Sequence, residues 1–206
     1  MQIIFYDSYR FPYPSQNITL HTVIQTDSFP TGLAVDLTND HIYWVHLGSQ
    51  RLLRCNIDGS NMTVLSTFRY PWVIRLDVTN RWIYIVERDF GVLKSTFDLA
   101  HQQTIVNFTS SLIYCMDIDT EEQRLFWINN DGDMKSAKDD GSDVKTIYST
   151  YDRRDYPALD VFGSYIYYDH TNRLSRISKT PGSTPTVLYT DTSRIDSIFV
   201  FKQTGM

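Results

Sequence analysis

Four aspartates recur at near-constant intervals: Asp36, Asp77, Asp119 and Asp160, with steps of 41, 42 and 41 residues. Carboxylates gathered from separate segments can hold a cation. Each of these closes a short apolar stretch, however, and a carboxylate at a strand end accepts the backbone N–H groups of the turn that follows. Turn capping is therefore the expected role. The acidic turns Asp131-Gly132-Asp133 and Asp139-Asp140-Gly141 lack the ligand spacing and terminal glutamate of a calcium loop, and read as β-turns. None of the five histidines has a second histidine at metal-ligand spacing. His46 and His170 hold matching places in different repeats, where imidazoles could titrate together near neutral pH, although surface or packing roles account for them as well. Cys55 and Cys115 read as buried small apolar residues, since a bridge needs Cα atoms within about 7 Å. No Gly-x-Ser-x-Gly or His-Glu-x-x-His motif occurs. A non-enzymatic protein with no metal and no cofactor is expected.

The stronger signal is one of contact. Arg69, Tyr70 and Trp72, then Tyr114, then Tyr151, Arg153, Arg154 and Tyr156, then Arg194 fall in successive connecting segments. Arg, Tyr and Trp dominate binding hot spots because they combine large contact area with directed hydrogen bonds. The competing reading is that the aromatics fill space between packed elements.

These segments alternate with a repeat of about 41 residues. A Thr-apolar-apolar triplet begins at Thr22, Thr63, Thr104, Thr146 and Thr186. Seven residues after each aspartate comes an aromatic pair or its equivalent: Tyr43-Trp44, Tyr84-Ile85, Phe126-Trp127 and Tyr167-Tyr168, with Phe5-Tyr6 as a further member. Basic alternating stretches such as Leu53–Ile57 and Met134–Lys138 precede Asp-Gly turns. Each period thus holds four short strands, called here A (ending in Asp), B (aromatic), C (basic) and D (Thr-apolar-apolar). Period-two alternation and turn glycines exclude a helical reading. Four strands in about 40 residues is a propeller blade.

The chain reads as BCD, four times ABCD, then A around Ile198-Phe199-Val200. One domain over 1–206 is expected: an all-β, five-bladed β-propeller of four-stranded antiparallel blades. The last A strand would close the ring on the first BCD, removing exposed sheet edges. Pro12 and Pro14 would distort the first C strand, because proline cannot donate to a ladder.

Composition agrees with a globular β protein: 42% hydrophobic, 21% charged and 14% aromatic residues. A net charge of -5 without a basic stripe argues against nucleic-acid binding. No apolar stretch approaches membrane-spanning length, and the run Ile3–Tyr6 is too short for a signal-peptide core. Sequons at Asn17, Asn61 and Asn107 point towards the secretory route and glycosylation.

From Gly32-Leu33-Ala34-Val35-Asp36 through Ile42-Tyr43-Trp44 to Ile57-Asp58-Gly59-Ser60, the sequence resembles the YWTD repeat, or LDL-receptor class B repeat. The resemblance spans nearly the whole chain. Two features depart from it. Such propellers usually have six blades, so the chain could also be part of a six-bladed ring. The fourth motif residue, an aspartate that ties blades together in the family, is His46, Glu87, Asn129 and His170, with Asp169 beside the last. The resemblance implies an extracellular or secreted, non-enzymatic module that binds a protein or peptide on one face of the disc, and the Arg, Tyr and Trp residues of the D–A loops point to the face that those loops form. A lectin-like propeller with glycan pockets between blades is the alternative, and a channel-metal hydrolase is a third reading.

Overall fold

The computed structural model describes residues 2–5, 21–26, 29–107, 111–150, 157–195 and 197–200. The described residues form β-strands joined by turns and short connections. β1 (Gln2–Phe5) and β2 (His21–Gln25) pair in a two-stranded sheet. Sheet I holds β3 (Pro30–Asp36), β4 (His41–His46), β5 (Arg51–Asn56) and β6 (Thr63–Thr67). Sheet II holds β7 (Pro71–Asp77), β8 (Trp82–Glu87), β9 (Gly91–Thr96) and β10 (Gln102–Asn107). Sheet III holds β11 (Ile113–Asp119), β12 (Arg124–Asn129), β13 (Asp133–Lys138) and β14 (Lys145–Ser149). Sheet IV holds β15 (Leu159–Phe162), β16 (Tyr165–His170), β17 (Arg173–Ser178) and β18 (Thr186–Thr190). In sheets I to IV sequence neighbours are hydrogen-bonded neighbours, so each is an A-B-C-D meander. Among the described residues no helix is long and apolar enough to cross a membrane.

Burial explains the sequence pattern. The B strands β4, β8 and β12 are buried at almost every residue, which is why they read as unbroken aromatic and β-branched runs. The C strands alternate, and the D strand β18 is exposed throughout. The chain divides into two compact units, Met1–Ile74 and Arg75–Met206, the boundary falling inside β7. In the first, Ile24, Ile42, Trp44 and Cys55 form a core with Val23, Leu53 and Ile57 against it. In the second, Cys115, Phe126, Ile128, Met134 and Ile147 from sheet III pack with Leu159, Ile166, Tyr168 and Ile177 from sheet IV. Burying each such side chain contributes about 2 kcal/mol.

The C–D turns dock sheets together. Gly59 and Gly141 take φ of +85° and +83°, and a Cβ on either would meet the carbonyl oxygen of Val23 or Ile105 at 2.3 and 1.8 Å. Both carbonyls belong to the second residue of a Thr-apolar-apolar strand. Glycine is needed there for its backbone angle and for its missing side chain. In sheet II the equivalent place is Leu99, at φ 60°.

Three expectations are corrected. Spacing puts Phe5 in a B strand, but β1 pairs directly with β2, at the position C holds elsewhere. The apolar run forms a strand either way, and periodicity alone does not name its neighbour. Residues 197–200 form no strand, although the Val200 N–H donates to Asp160 Oδ2. Asp160, finally, is not the fourth member of the aspartate series. It lies directly opposite Tyr167, as Asp117 lies opposite Phe126, whereas Asp119 faces Arg124. The A–B hairpin of sheet IV closes from Phe162 to Tyr165, two residues shorter than Asp119 to Arg124.

Candidate functional site

Asp36, Asp77 and Asp119 end their strands and cap the turns that follow. Asp36 accepts from the Thr38 and Asn39 N–H groups at 3.2 and 3.3 Å, and Asp119 from Glu121 and Glu122 at 2.9 and 3.0 Å. Asp77 accepts from the Asn80 N–H and from Gln123 Nε2, both at 2.9 Å. Burial opposes ionisation of Asp77, yet hydrogen bonds from Gln123 and Asn80 hold it below the usual carboxylate range.

The innermost strands of the second unit carry a different constellation. Arg75 Nε donates to Asp117 Oδ1 at 2.8 Å. The Val161 N–H is shared between Asp117 Oδ2 at 2.8 Å and Asp160 Oδ1 at 2.9 Å. Two carboxyl groups therefore converge on one donor. Burial, reinforced by Asp117, raises Asp160 to about 7. Among the described residues no three His, Cys, Asp or Glu side chains come together as metal ligands do.

The variable fourth residues of the B strands serve their own loops. The Ser49 N–H donates to His46 Nδ1 at 3.0 Å, and Asn129 Oδ1 accepts from the Asp131 and Asp133 N–H groups at 3.1 and 2.8 Å. Asp169 Oδ1, deeply buried, accepts from the Ala158 N–H. Cys55 and Cys115 are buried and unbridged, and burial pushes their thiols up to about 11 and about 12.

The expected contact residues separate by exposure. Arg69 and Tyr70 are exposed at the corner between β6 and β7, with Tyr70 at φ 48° and 43% exposed. A positive φ on a bulky residue is strained and persists where the surroundings impose it. Trp72 and Tyr114 are half-buried on β7 and β11. Arg194 is exposed and lines a cleft of about 450 Å³ with Thr171, Asn172, Thr192 and Ser193. Tyr151, Arg153, Arg154 and Tyr156 lie outside the described residues, as does Asn17. Asn61 and Asn107 are exposed.

Sequence reasoning missed the B–C turns, which meet the D–A segments at the same end of each sheet. The Asn130 N–H donates to Leu112 O at 2.9 Å and Ser111 Oγ to Asp131 at 2.8 Å, while the Asp191 N–H donates to Asn172 O at 2.7 Å. Exposed Phe90, in the β8–β9 turn, lies at this end of sheet II. The turn residues gave no signal because their types are ordinary for turns.

No family model matches the sequence. The fold is similar to that in a crystal structure of a nidogen/laminin complex, with a TM-score of 0.79 and 15% identity, over 92% of this chain and 77% of that one. It is also similar to an auxiliary nutrient-binding protein of Bacteroides thetaiotaomicron, with a TM-score of 0.63 and 12% identity, over 77% of this chain and 41% of that one. A calcium-binding protein, regucalcin, of Agrobacterium tumefaciens gives a TM-score of 0.58 and 13% identity, over 77% and 58%. At such identities the likeness concerns fold. With its succession of four-stranded antiparallel meanders, the chain is a β-propeller.

Proposed function

We propose that the chain is a divergent YWTD-type propeller of five blades, a single extracellular glycoprotein domain without enzymatic activity. Its partner is a protein or extended peptide bound at the end of the sheets where the D–A segments and B–C turns meet. The observation that carries this reading is the Arg69–Tyr70 corner, where an arginine and a strained, exposed tyrosine are presented together. The similarity to a propeller solved as a nidogen/laminin complex supports a protein partner. Exposed Asn61 and Asn107 suit glycosylation in the secretory route.

The test is secretory expression followed by binding to an array of extracellular proteins. Tyr70→Gly removes the ring while accommodating the positive φ, and Arg69→Ala removes the guanidinium. Each should weaken a specific interaction at least about tenfold, as hot-spot losses do. Binding indifferent to both substitutions overturns the placement.

A further inference from the structure

The junction between sheets III and IV contains a cleft of about 430 Å³, at the A–B and C–D turn end and so opposite the D–A segments. Its wall on sheet III includes Arg124, Ser136 and Ile147; its wall on sheet IV includes Ser178, Lys179 and Pro181. The volume falls within the roughly 300–1,000 Å³ of small-ligand clefts.

The cleft breaks the repeat. The C-strand position of Ser136 is Lys94 in sheet II, and the position of Lys179 in sheet IV is Asp139 in sheet III. At the II/III junction Lys94 Nζ reaches Asp139 Oδ2 at 2.5 Å, packs over Trp82 at 4.4 Å, and occupies the space. At III/IV the buried Ser136 has a short side chain and leaves it open.

The charged groups around the opening are paired. Lys179 pairs with Asp119 and Glu122, and Arg124 Nη1 and Lys145 Nζ meet Asp143 at 3.0 and 2.9 Å. The cleft wall itself carries Arg124, Lys145, Lys179 and Glu122, and each of its three cations is already held by a carboxylate, so no lining charge is left without a partner to select an ion. What remains is a dense set of fixed hydrogen-bonding groups. Arg124 Nε is already aligned on Ser136 Oγ at 3.1 Å, and Ser178 Oγ donates to Thr180 Oγ1 at 3.3 Å. Ile147 and Pro181 add apolar surface. Charged side chains locked in pairs offer directed donors and acceptors to hydroxyl groups, and the apolar surface suits C–H faces.

We propose that this III/IV cleft binds a neutral polyhydroxylated ligand, a saccharide unit. The site is independent of the protein-binding reading, because it lies at the other end of the sheets. The test is NMR of the labelled full chain titrated separately with glucose, galactose, mannose and N-acetylglucosamine to about 10 mM, in the millimolar affinity range. Inorganic phosphate serves as a charged comparison. Saturable shifts at the Ser136, Ser178 and Lys179 amides with a neutral sugar are expected. They should vanish in Ser136→Lys, which restores the side chain found at the II/III junction, and persist in Ser136→Ala with at most about a tenfold loss. Refolding of Ser136→Lys is checked by its unchanged spectrum away from the cleft; if it does not fold, Pro181→Glu, at the exposed rim, takes its place and should weaken binding. No shift with any of the four sugars, shifts away from the cleft, sugar binding unaltered in the blocking variant, or a response to phosphate alone overturns the proposal.

Discussion

The two junctions of the second unit use the same positions for opposite ends. At II/III the outer space is filled by Lys94 and Asp139, and Tyr84 donates to the same carboxylate at 3.2 Å. The inner strands there are tied by opposite charges, Arg75 and Asp117. At III/IV the outer space is open at Ser136, and the inner strands bring two carboxyl groups together, Asp117 and Asp160. The backbone is repeated, yet one junction is closed and charge-complementary while the other is open and proton-sharing. A repeated fold can therefore build individual sites by changing side-chain length and sign at fixed positions.

The largest expected effect comes from the turn glycines. Gly141→Ala drives a Cβ into the Ile105 carbonyl and should destabilise the domain by about 4 kcal/mol. At III/IV, Gly182→Ala meets no atom within 4 Å, so its φ of +79° alone should cost about 1 kcal/mol. Denaturant unfolding of both variants measures the contrast; equal losses would show that the two turns dock alike.

Breaking the filled junction comes next. Lys94 and Asp139 have side chains 15% and 19% exposed. Asp139→Ala should cost about 2–3 kcal/mol because it leaves Lys94 half-buried without its carboxylate. Lys94→Met with Asp139→Ala should recover part of that loss, a coupling that a double-mutant cycle reads directly.

The carboxyl pair should show itself through pH. Folded Asp160 keeps its proton to about 7, whereas the unfolded chain releases it near the ordinary value of 3.8. Between those values the native state binds more protons. The contribution is fully present below the lower value, falls as pH rises, and is lost above about 7. Asp160→Asn mimics the protonated acid and should remove that component. Tm measured from pH 4 to 8 for both proteins checks it, and parallel curves would exclude a shared proton.

The smallest effect is a gain. Leu99 holds at φ 60° the place of Gly59 and Gly141. Leu99→Gly should stabilise by about 0.5 kcal/mol, the relieved strain being partly offset by the freer unfolded chain. Thermal unfolding should show a small rise in Tm.

Much of this architecture was legible because the B strand is buried on both faces. Tyr43, Tyr84 and Phe126 can neither drift nor be replaced by polar residues without exposing the core, so their spacing stays regular, and the half-buried Tyr167 follows it. Asp160 was misread for the converse reason. Its hairpin is short, and a constant seven-residue offset to Tyr167 hid a two-residue change of register. Of the expected contact residues, Arg69 and Tyr70 are exposed, as a binding role would require. Trp72 and Tyr114 proved half-buried, because residue type cannot separate a contact residue from a packing one. The III/IV cleft left no mark at all. Ser136 matters through the bulk it lacks relative to Lys94, and such a lack becomes visible only when equivalent strands are laid over one another.

The docking of the C–D turns of sheets I, III and IV onto earlier strands also sets a direction of assembly within each unit. Gly59 lies against Val23, Gly141 against Ile105, and the Gly182 N–H donates to Ile147 O, so in each case the later segment reaches back to one already synthesised. Each hairpin can form from local contacts as it leaves the ribosome and find its docking carbonyl waiting. Each unit is thus suited to growing sheet by sheet from its N-terminal side, the docking of these turns needing no segment still to be made.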